Sequence, residues 1–446
     1  MKDFSRREFL RRTALATAGA AFASPFVNGC VTTHRPPSDV VLHASIGASG
    51  QANWDLNQLA GHKHLKLVAV ADVDLSKATK LKERYPDIRI YQDWRVLLEK
   101  EKHLNSINVS TPDHMHAAIA MSAMQLGRHV YVQKPLAHDI HEVRRLTQFA
   151  HGKKLVTQMG IQIHSASDYR RAVRLIQDGA IGKVKEVHTW CGKKWGDMTA
   201  LPDRHDTPPE GFNWDLWLGV MADRPFIGDG YYHPGNWRKR LDFGTGTFGD
   251  MGCHIFDPVF NALELTAPIS VRSEGPPPNK WNWATDAIVR YVFPGTKHTD
   301  ATTIKITWYD GDASPPAEVL ALIGDEKKPG CGSIFIGTKG VMLLPHISRP
   351  KLFPEAQFEE FVMPKVEDGN HYHEFVDAIL GRTKTGTAFD YSGPLTEAVL
   401  LGSVASRFPQ TTLEWNARKL RFDNESQANP YLRRTYRQGW EVKHLA

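Results

Sequence analysis

Asp250 and His254 stand four positions apart, the spacing that puts two side chains on one face of a helix. A histidine of near-neutral pKa can take a hydroxyl proton while hydride leaves the same carbon. A carboxylate beside it would orient the ring and stabilise its charged form. Lys134 ends an apolar stretch, His129 to Gln133, that reads as a buried strand. That puts a lysine at the carboxyl end of a parallel strand, where open α/β sheets bind their ligands. Pro258 complicates the pair, since a helix opening at Asp257 leaves Asp250 and His254 in the turn before it. The plainer readings are a capping Asp, a packed His and a solvated Lys. Two metal ligands are also conceivable at this spacing, but no nearby third ligand has a recognisable spacing, so no metal is expected.

Such residues need a scaffold that gathers distant segments at one cleft, and a regular pattern begins at Asp39. A strand from Val40 to Ile46, a Gly-rich turn, a helical stretch and a strand from Leu67 to Ala71 form a β-α-β unit ending at Asp72. On the G-x-G-x-x-G template, Gly47 takes the first position, Ser49 the second and Ala52 the third, with Gly50 an extra small residue. The first Gly permits a tight turn, the second lets backbone approach a pyrophosphate, and the following helix aims its N–H groups at the phosphates. Ser49 crowds that approach slightly. Asp72 at a strand end can accept the adenosine ribose hydroxyls and repel a 2′-phosphate, favouring NAD over NADP. A generic strand-turn-helix with a capping Asp fits the same residues. Ser106 to Ser110 reads as the next buried strand, broken by Thr111 to His114, and Ala117 to Leu126 as a helix capped by Gly127.

Four segments carry a resemblance: Ser110-Thr111-Pro112-Asp113-His114, the run from Gly127 through Lys134-Pro135-Leu136, Gly179-Ala180-Ile181-Gly182-Lys183-Val184, and Gly244 through His254. Together they resemble the glucose-fructose oxidoreductase, inositol dehydrogenase and MocA (Gfo/Idh/MocA) family, from about Val40 to the C-terminus. The resemblance implies an α/β chain, with an N-terminal Rossmann domain and a C-terminal α/β domain built on a large, mainly antiparallel sheet. The site would lie between them. It assigns Lys134, Asp250 and His254 to the catalytic Lys, Asp and His, with Lys134 hydrogen-bonding the reacting oxygen. It places Gly47, Ser49, Gly50, Ala52, Asp72, Thr111, Pro112, His114 and Lys134 around the cofactor. Many members carry Glu-Lys-Pro where this chain has Gln133-Lys134-Pro135, so the lysine lacks its acidic neighbour. Pairing of the large sheet between subunits implies a homo-oligomer.

Between Trp190 and Arg240 the chain is rich in Trp, Tyr, His and Gly. Flat rings suit the C–H faces of sugars, and polar tips read hydroxyls. Tyr232, His233, Trp237 and Arg238 are the substrate candidates, set against ordinary core packing for most of these aromatics. Asp203, Arg204, His205 and Asp206 are a candidate rim. Strand-like stretches follow at Ala287 to Phe293, Thr302 to Trp308 and Gly340 to Leu344, and Asp325 to Gly332 reads as a solvated loop. Amphipathic stretches run from Asn370 to Leu380 and from Leu395 to Ala405. His371 and His373 point to different helix faces and are left out of the site. The tail from Asn424 reads as an extension wrapping the domain or a partner.

The N-terminus, Ser5-Arg6-Arg7-Glu8-Phe9-Leu10 followed by an apolar run from Ala14 to Ala23, reads as a twin-arginine (Tat) export signal. Ala21-Phe22-Ala23 offers a peptidase site. Val27-Asn28-Gly29-Cys30 offers a lipoprotein box, with Cys30 as a membrane tether. The expected division is a signal over 1–30, a linker over 31–38, a Rossmann domain over 39–158 and a substrate and oligomerisation domain over 159–446. Residues 1–30 hold five Lys or Arg against two acids, half of the net charge of +6, so nothing points to nucleic acid. Beyond Cys30 only Cys191, Cys253 and Cys331 remain, widely spaced, and neither a disulfide framework nor a thiol zinc site is indicated. No later run is long and apolar enough to span a bilayer.

Twin-arginine export carries folded proteins, so a nicotinamide enzyme sent out this way would leave with its cofactor bound and regenerate it on the enzyme. The expectation is an exported, periplasmic oxidoreductase, soluble or lipid-anchored, that acts on a ring hydroxyl of a sugar, glycoside or cyclitol by hydride transfer to tightly bound NAD. A redox-neutral glycoside hydrolase or lyase is the alternative. A non-catalytic sugar-binding lipoprotein is the second.

Overall fold

A computed structural model describes residues 39–445; the export signal, Cys30 and the linker lie outside the described residues. Buried, β-branched stretches build the first sheet. Strands β1 (Val41–Ile46), β2 (Leu65–Ala71), β3 (Arg89–Tyr91), β4 (Ser106–Val109), β5 (His129–Val132) and β6 (Thr157–Met159) are parallel, in the order β3-β2-β1-β4-β5-β6. β4, β5 and β6 are buried at every position, as strands covered on both faces must be. Helices α1 (Gln51–Ala60), α2 (Trp94–Lys100), α3 (Asp113–Gln125) and α4 (Ile140–Lys153) make the crossovers. The strand order reverses between β1 and β4, which opens a crevice at their carboxyl ends.

The second sheet has nine strands in the order β13-β12-β11-β7-β10-β9-β8-β14-β15. These are β7 (Val184–Cys191), β8 (Ser270–Ser273), β9 (Ile288–Pro294), β10 (Thr303–Asp310), β11 (Cys331–Gly337), β12 (Val341–Pro345), β13 (Lys351–Phe353), β14 (Thr412–Asn416) and β15 (Arg421–Phe422). Only the β7–β10 pair is parallel. Helices α5 (Ser167–Gln177), α6 (Gly246–Ala262) and α8 (Phe389–Ala405) belong to the same domain, whereas α7 (His371–Ile379) packs on the first sheet, with Tyr372 and Phe375 buried among Val41, Leu59 and Tyr131. Along β9 and β10, Val289, Tyr291, Phe293, Ile304, Ile306 and Trp308 alternate inward against α6 and α8. Phe248 of α6 stacks on Trp308 with ring centroids 4.7 Å apart, a pair worth about 1 kcal/mol beyond its buried area.

The structure departs from the sequence expectations at five places. First, α6 runs unbroken from Gly246 with Pro258 inside it, so Asp250 and His254 are helical. Pro258 forfeits one helical hydrogen bond, and burial of Ile255, Phe256 and Val259 around it offsets the loss. Second, α3 begins at Asp113, directly after Pro112. Third, α8 begins at Phe389 and carries Pro394 within it. Fourth, Cys331 and Gly332 belong to β11, and Cys191 and Cys331 form a disulfide. They are 140 residues apart in sequence, and the β7–β11 register sets them directly opposite. Finally, the tail from Asn424, whose composition reads as a polar extension, buries Leu432, Trp440, Val442 and Leu445. It crosses the Rossmann domain, where Arg434 pairs with Glu142 at 2.6 Å and Arg95 lies 4.1 Å over the Trp440 ring.

Candidate active site

The crevice at the β1–β4 reversal holds a cavity of about 330 Å³. Gly47 follows β1 with φ 108°, and a Cβ there would lie 2.6 Å from the Ser110 carbonyl oxygen and 2.8 Å from Ala52 Cβ. Only glycine fits, and only a small residue can stand at 52. Helix α1 has Gly50 as its N-cap, no side-chain cap and no acid in its first turn, an end suited to an anion, although the Ala52 N–H is taken by the Ser49 carbonyl oxygen at 3.1 Å. Asp72 Oδ2 accepts the Ala48 N–H at 2.8 Å and Oδ1 the Asp74 N–H at 2.9 Å. Burial raises this carboxyl to about 6. An uncapped helix end for a pyrophosphate and a carboxylate at the end of β2 for a ribose are the donor and acceptor set that NAD requires, so these residues fit it.

Ser49, Gly50, Thr111, Pro112 and Lys134 line the same cavity. His114 does not. Because α3 opens at Asp113, the His114 ring turns into the domain boundary, between Trp217 and Phe243, with Nε2 2.9 Å from the Trp217 carbonyl oxygen. Burial lowers it to about 3, so it is a neutral packing residue. Of the substrate candidates, His233, Trp237 and Arg238 line the cavity. Tyr232 lies behind them, buried among Trp214, Trp217 and Phe243. Its ring is one of several that close an apolar cluster, and a pattern of aromatics cannot tell wall from lining. Arg204 and Asp206 of the expected rim form an exposed salt bridge beside a separate depression.

Lys134 Nζ donates to Asp250 Oδ1 at 2.6 Å and to the Asp250 carbonyl oxygen at 2.8 Å. Arg238 Nε approaches Oδ1 at 3.2 Å, while Trp195 Nε1 and Lys193 Nζ approach Oδ2 at 3.0 and 3.5 Å. Burial alone would raise the Asp250 carboxyl, but the charges of Lys134, Arg238 and Lys193 drive it well below the usual carboxylate range. Lys193 and Trp195 escaped the sequence reading as partners of Asp250. They follow β7, far from Asp250 in sequence, and Thr247 of α6 helps to seat their segment, its Oγ1 accepting the Trp195 N–H at 2.7 Å and donating to the Lys193 carbonyl oxygen at 3.3 Å.

His254 does not pair with Asp250. Asp250 takes its donors from Lys134, Arg238, Lys193 and Trp195, and His254 Nδ1 is buried with no partner among the described residues. Burial, then the Lys134 charge, holds the imidazole well below its ordinary pKa, so it is neutral. Beside Lys134, Gln133 Nε2 donates to Asp55 Oδ2 at 2.8 Å. Three more donors fill that carboxylate: Ser110 Oγ, Gln51 Nε2 and Tyr372 Oη.

Comparison with known proteins gives the same two-domain fold. The GFO_IDH_MocA profile, described as an oxidoreductase family with an NAD-binding Rossmann fold, matches residues 43–161. The companion C-terminal alpha/beta domain matches 175–442. Levoglucosan dehydrogenase of Pseudarthrobacter phenanthrenivorans is 23% identical over 43% of this chain and 40% of its own length. An alpha-N-acetylgalactosaminidase of Shewanella oneidensis is 23% identical over 41% of this chain and 45% of its own. The chain thus spans less than half the length of these curated relatives. The WlbA dehydrogenase of Bordetella pertussis, solved with NADH and UDP-GlcNAcA, shares the fold with a TM-score of 0.59 at 14% identity, over 84% of this chain and 98% of that one. GenD2 from gentamicin A biosynthesis, solved with NAD, has a TM-score of 0.59 at 18% identity, over 88% of this chain and 100% of that one. With both domains matched in order across a shared fold, the chain belongs to the Gfo/Idh/MocA oxidoreductase family, whose N-terminal domain is an NAD-binding Rossmann fold.

Proposed function

We propose that this protein is an exported NAD-dependent oxidoreductase that oxidises a ring hydroxyl of a sugar, glycoside or cyclitol. The observation that carries the reading is the 2.6 Å contact of Asp250 with Lys134, a residue that lines the cofactor cavity. Bound NAD supplies a hydride acceptor. Lys134, kept in place by Asp250, offers an N–H donor to the substrate oxygen as negative charge develops there. His254 is neutral and has a free ring nitrogen, which suits it to take the hydroxyl proton. Gly47, Ser49, Gly50 and Ala52 would hold the pyrophosphate, with Asp72 on the ribose and Thr111 and Pro112 along the cofactor. His233, Trp237 and Arg238 would face the substrate.

The twin-arginine segment supports export through the Tat machinery to the periplasm, with or without a lipid on Cys30. The Cys191–Cys331 disulfide supports an oxidising compartment. Self-association through the large sheet belongs to the same proposal, with Arg290 and Lys305 exposed on the face turned away from α6. The match to an alpha-N-acetylgalactosaminidase supports a second reading: transient oxidation, elimination of a leaving group and return of the hydride.

The test is to denature purified protein, identify released nucleotide, and screen glycosides with intact protein while following absorbance and products. Released NAD with a keto-sugar or accumulated NADH is the expected result. Cleaved glycoside without net NADH would establish the second reading. Absence of nucleotide together with failure to bind NAD would overturn both.

A further inference from the structure

Three walls of the cofactor cavity are held from outside by the C-terminal tail. Trp94 at the start of α2, Met115 in the first turn of α3, and Leu216 and Trp217 of the short helix Trp214–Leu218 line the cavity. The first two walls belong to the Rossmann domain, and the third arrives from much later in the chain. Arg437 grips that third wall. Its backbone N–H donates to the Val220 carbonyl oxygen at 2.8 Å and its Nε to the Gly219 carbonyl oxygen at 3.1 Å. Its two terminal nitrogens reach the Asp215 carboxylate at 2.8 Å and the Asp215 carbonyl oxygen at 3.0 Å. Gly219 is where this wall meets α3: its φ is 54°, and a Cβ there would collide with Met115 Sδ.

The same stretch of tail is fixed to the Rossmann domain. Arg434 donates to Glu142 of α4 at 2.6 Å and to the His114 carbonyl oxygen of α3 at 2.5 Å. Tyr436 Oη donates to the same Glu142 oxygen at 2.6 Å. Trp440 is buried against Arg95, the neighbour of Trp94. Further on, Gln125 Nε2 and Arg145 Nε donate to the Lys443 and His444 carbonyl oxygens at 2.7 and 2.8 Å. None of Arg434, Tyr436, Arg437 and Trp440 lines the cavity. A dinucleotide leaves such a crevice when its walls part. Here parting them breaks the charge-assisted bonds of Arg437 or of Arg434.

We infer that residues 434–440 form a clasp that holds Trp214–Leu218 against α2 and α3 and so makes the release of NAD slow. Arg437 is a positioning residue that acts through Leu216 and Trp217. The inference rests on the NAD reading and deepens it: the chain's own tail keeps the cofactor on the enzyme.

The test loads full-length protein with NAD, chases it with excess isotopically labelled NAD, and follows the bound nucleotide by mass spectrometry. Association is timed separately on nucleotide-stripped protein by fluorescence. Arg437→Gln is expected to speed release about tenfold or more, the worth of hydrogen bonds to a charged group, with association changed less than about threefold. Asp215→Asn, a milder cut at the same bond, is expected to shift release in the same direction, and it decides the matter if Arg437→Gln does not fold. Arg144→Gln is the control: it severs a buried pair with Glu397 of 2.6 Å that touches neither the tail nor the cavity, and should lower the melting temperature while release stays unchanged. Rapid exchange in the unaltered protein, unchanged release in the clasp variants, or equal acceleration in Arg144→Gln would overturn the clasp while NAD binding stands. Protein that neither contains nor binds NAD would instead sink the cofactor reading, and the clasp with it.

Discussion

Gln133 Nε2 donates to Asp55 Oδ2 over 2.8 Å, so the acid beside the lysine stands on helix α1 instead of on strand β5. The amide that replaces the usual glutamate is the donor this buried carboxylate needs. A glutamate at 133 would set two acids against each other.

Gln133→Glu is therefore expected to destabilise the protein by about 3 kcal/mol. The pair would share a proton, with folded-state pKa values raised above the unfolded ones. Stability is then present at low pH and lost as pH rises through the raised value. Denaturant melts at acid and alkaline pH check this, and Asp55→Asn combined with Gln133→Glu should recover most of the loss. A flat pH dependence would contradict the account.

The two ends of the Lys134–Asp250 pair are not equivalent. Lys134→Met leaves Asp250 with Lys193, Arg238 and Trp195, whereas Asp250→Asn leaves three cations facing one another. Turnover is expected to fall more than about 100-fold in both, and in His254→Ala. Stability should fall further in Asp250→Asn, toward the roughly 3–5 kcal/mol cost of an uncompensated charge. Comparable melts, or near-normal turnover, would refute the arrangement.

His254 acts as a base only when neutral, and burial with the Lys134 charge holds its pKa well below the ordinary value. The kcat/KM profile should therefore stay level down through the usual histidine range and fall only at lower pH. Lys193 also contributes to that lowering. Removing its charge in Lys193→Gln favours the protonated ring, so the acid limb should move upward. A downward shift would exclude His254 as the titrating group.

Asp72 titrates near 6 because it is buried. Its ionised form accepts ribose hydroxyls better, so NAD affinity in nucleotide-stripped protein should increase between pH 5 and 7. Asp72→Asn should flatten that rise, and Asp72→Ala should weaken binding about 10- to 100-fold, the worth of hydrogen bonds to a charged group. Fluorescence titration with NAD reads both.

Reducing Cys191–Cys331 is expected to lower stability by about 2–4 kcal/mol, since the bond closes a loop between residues 140 apart. Lys193 and Trp195 follow directly after Cys191, so kcat/KM should also drop. Unfolding curves with and without a thiol reductant, and the same curves for Cys191→Ser, measure the effect.

Local patterns exposed much of the molecule. Glycine at 47, the small residue at 52 and the acid at 72 follow from backbone sterics and charge within one β-α-β unit, and they lie where the motif implies. Strands such as β1, β9 and β10 were visible as apolar runs between turn residues. The alternation along β9 and β10 belongs to the same signal. Less was visible where packing overrides local preference. Pro258 and Pro394 look like helix boundaries, yet both lie inside buried helices whose apolar contacts outweigh one missing bond.

What the amino-acid sequence determined by itself is the set of short-range requirements: the phosphate-binding turn, the lysine at the end of β5, and the Asp-His spacing on one helix. Tertiary structure decided the partners. Asp250 takes Lys134 and Lys193 instead of His254, Asp55 takes Gln133, Cys191 takes Cys331, and His114 and Tyr232 become walls. The reason is physical. Hydrogen bonds and charge pairs act over a few ångströms, and which groups come that close depends on how two sheets and the helices between them pack, a relation that no local spacing in the chain encodes.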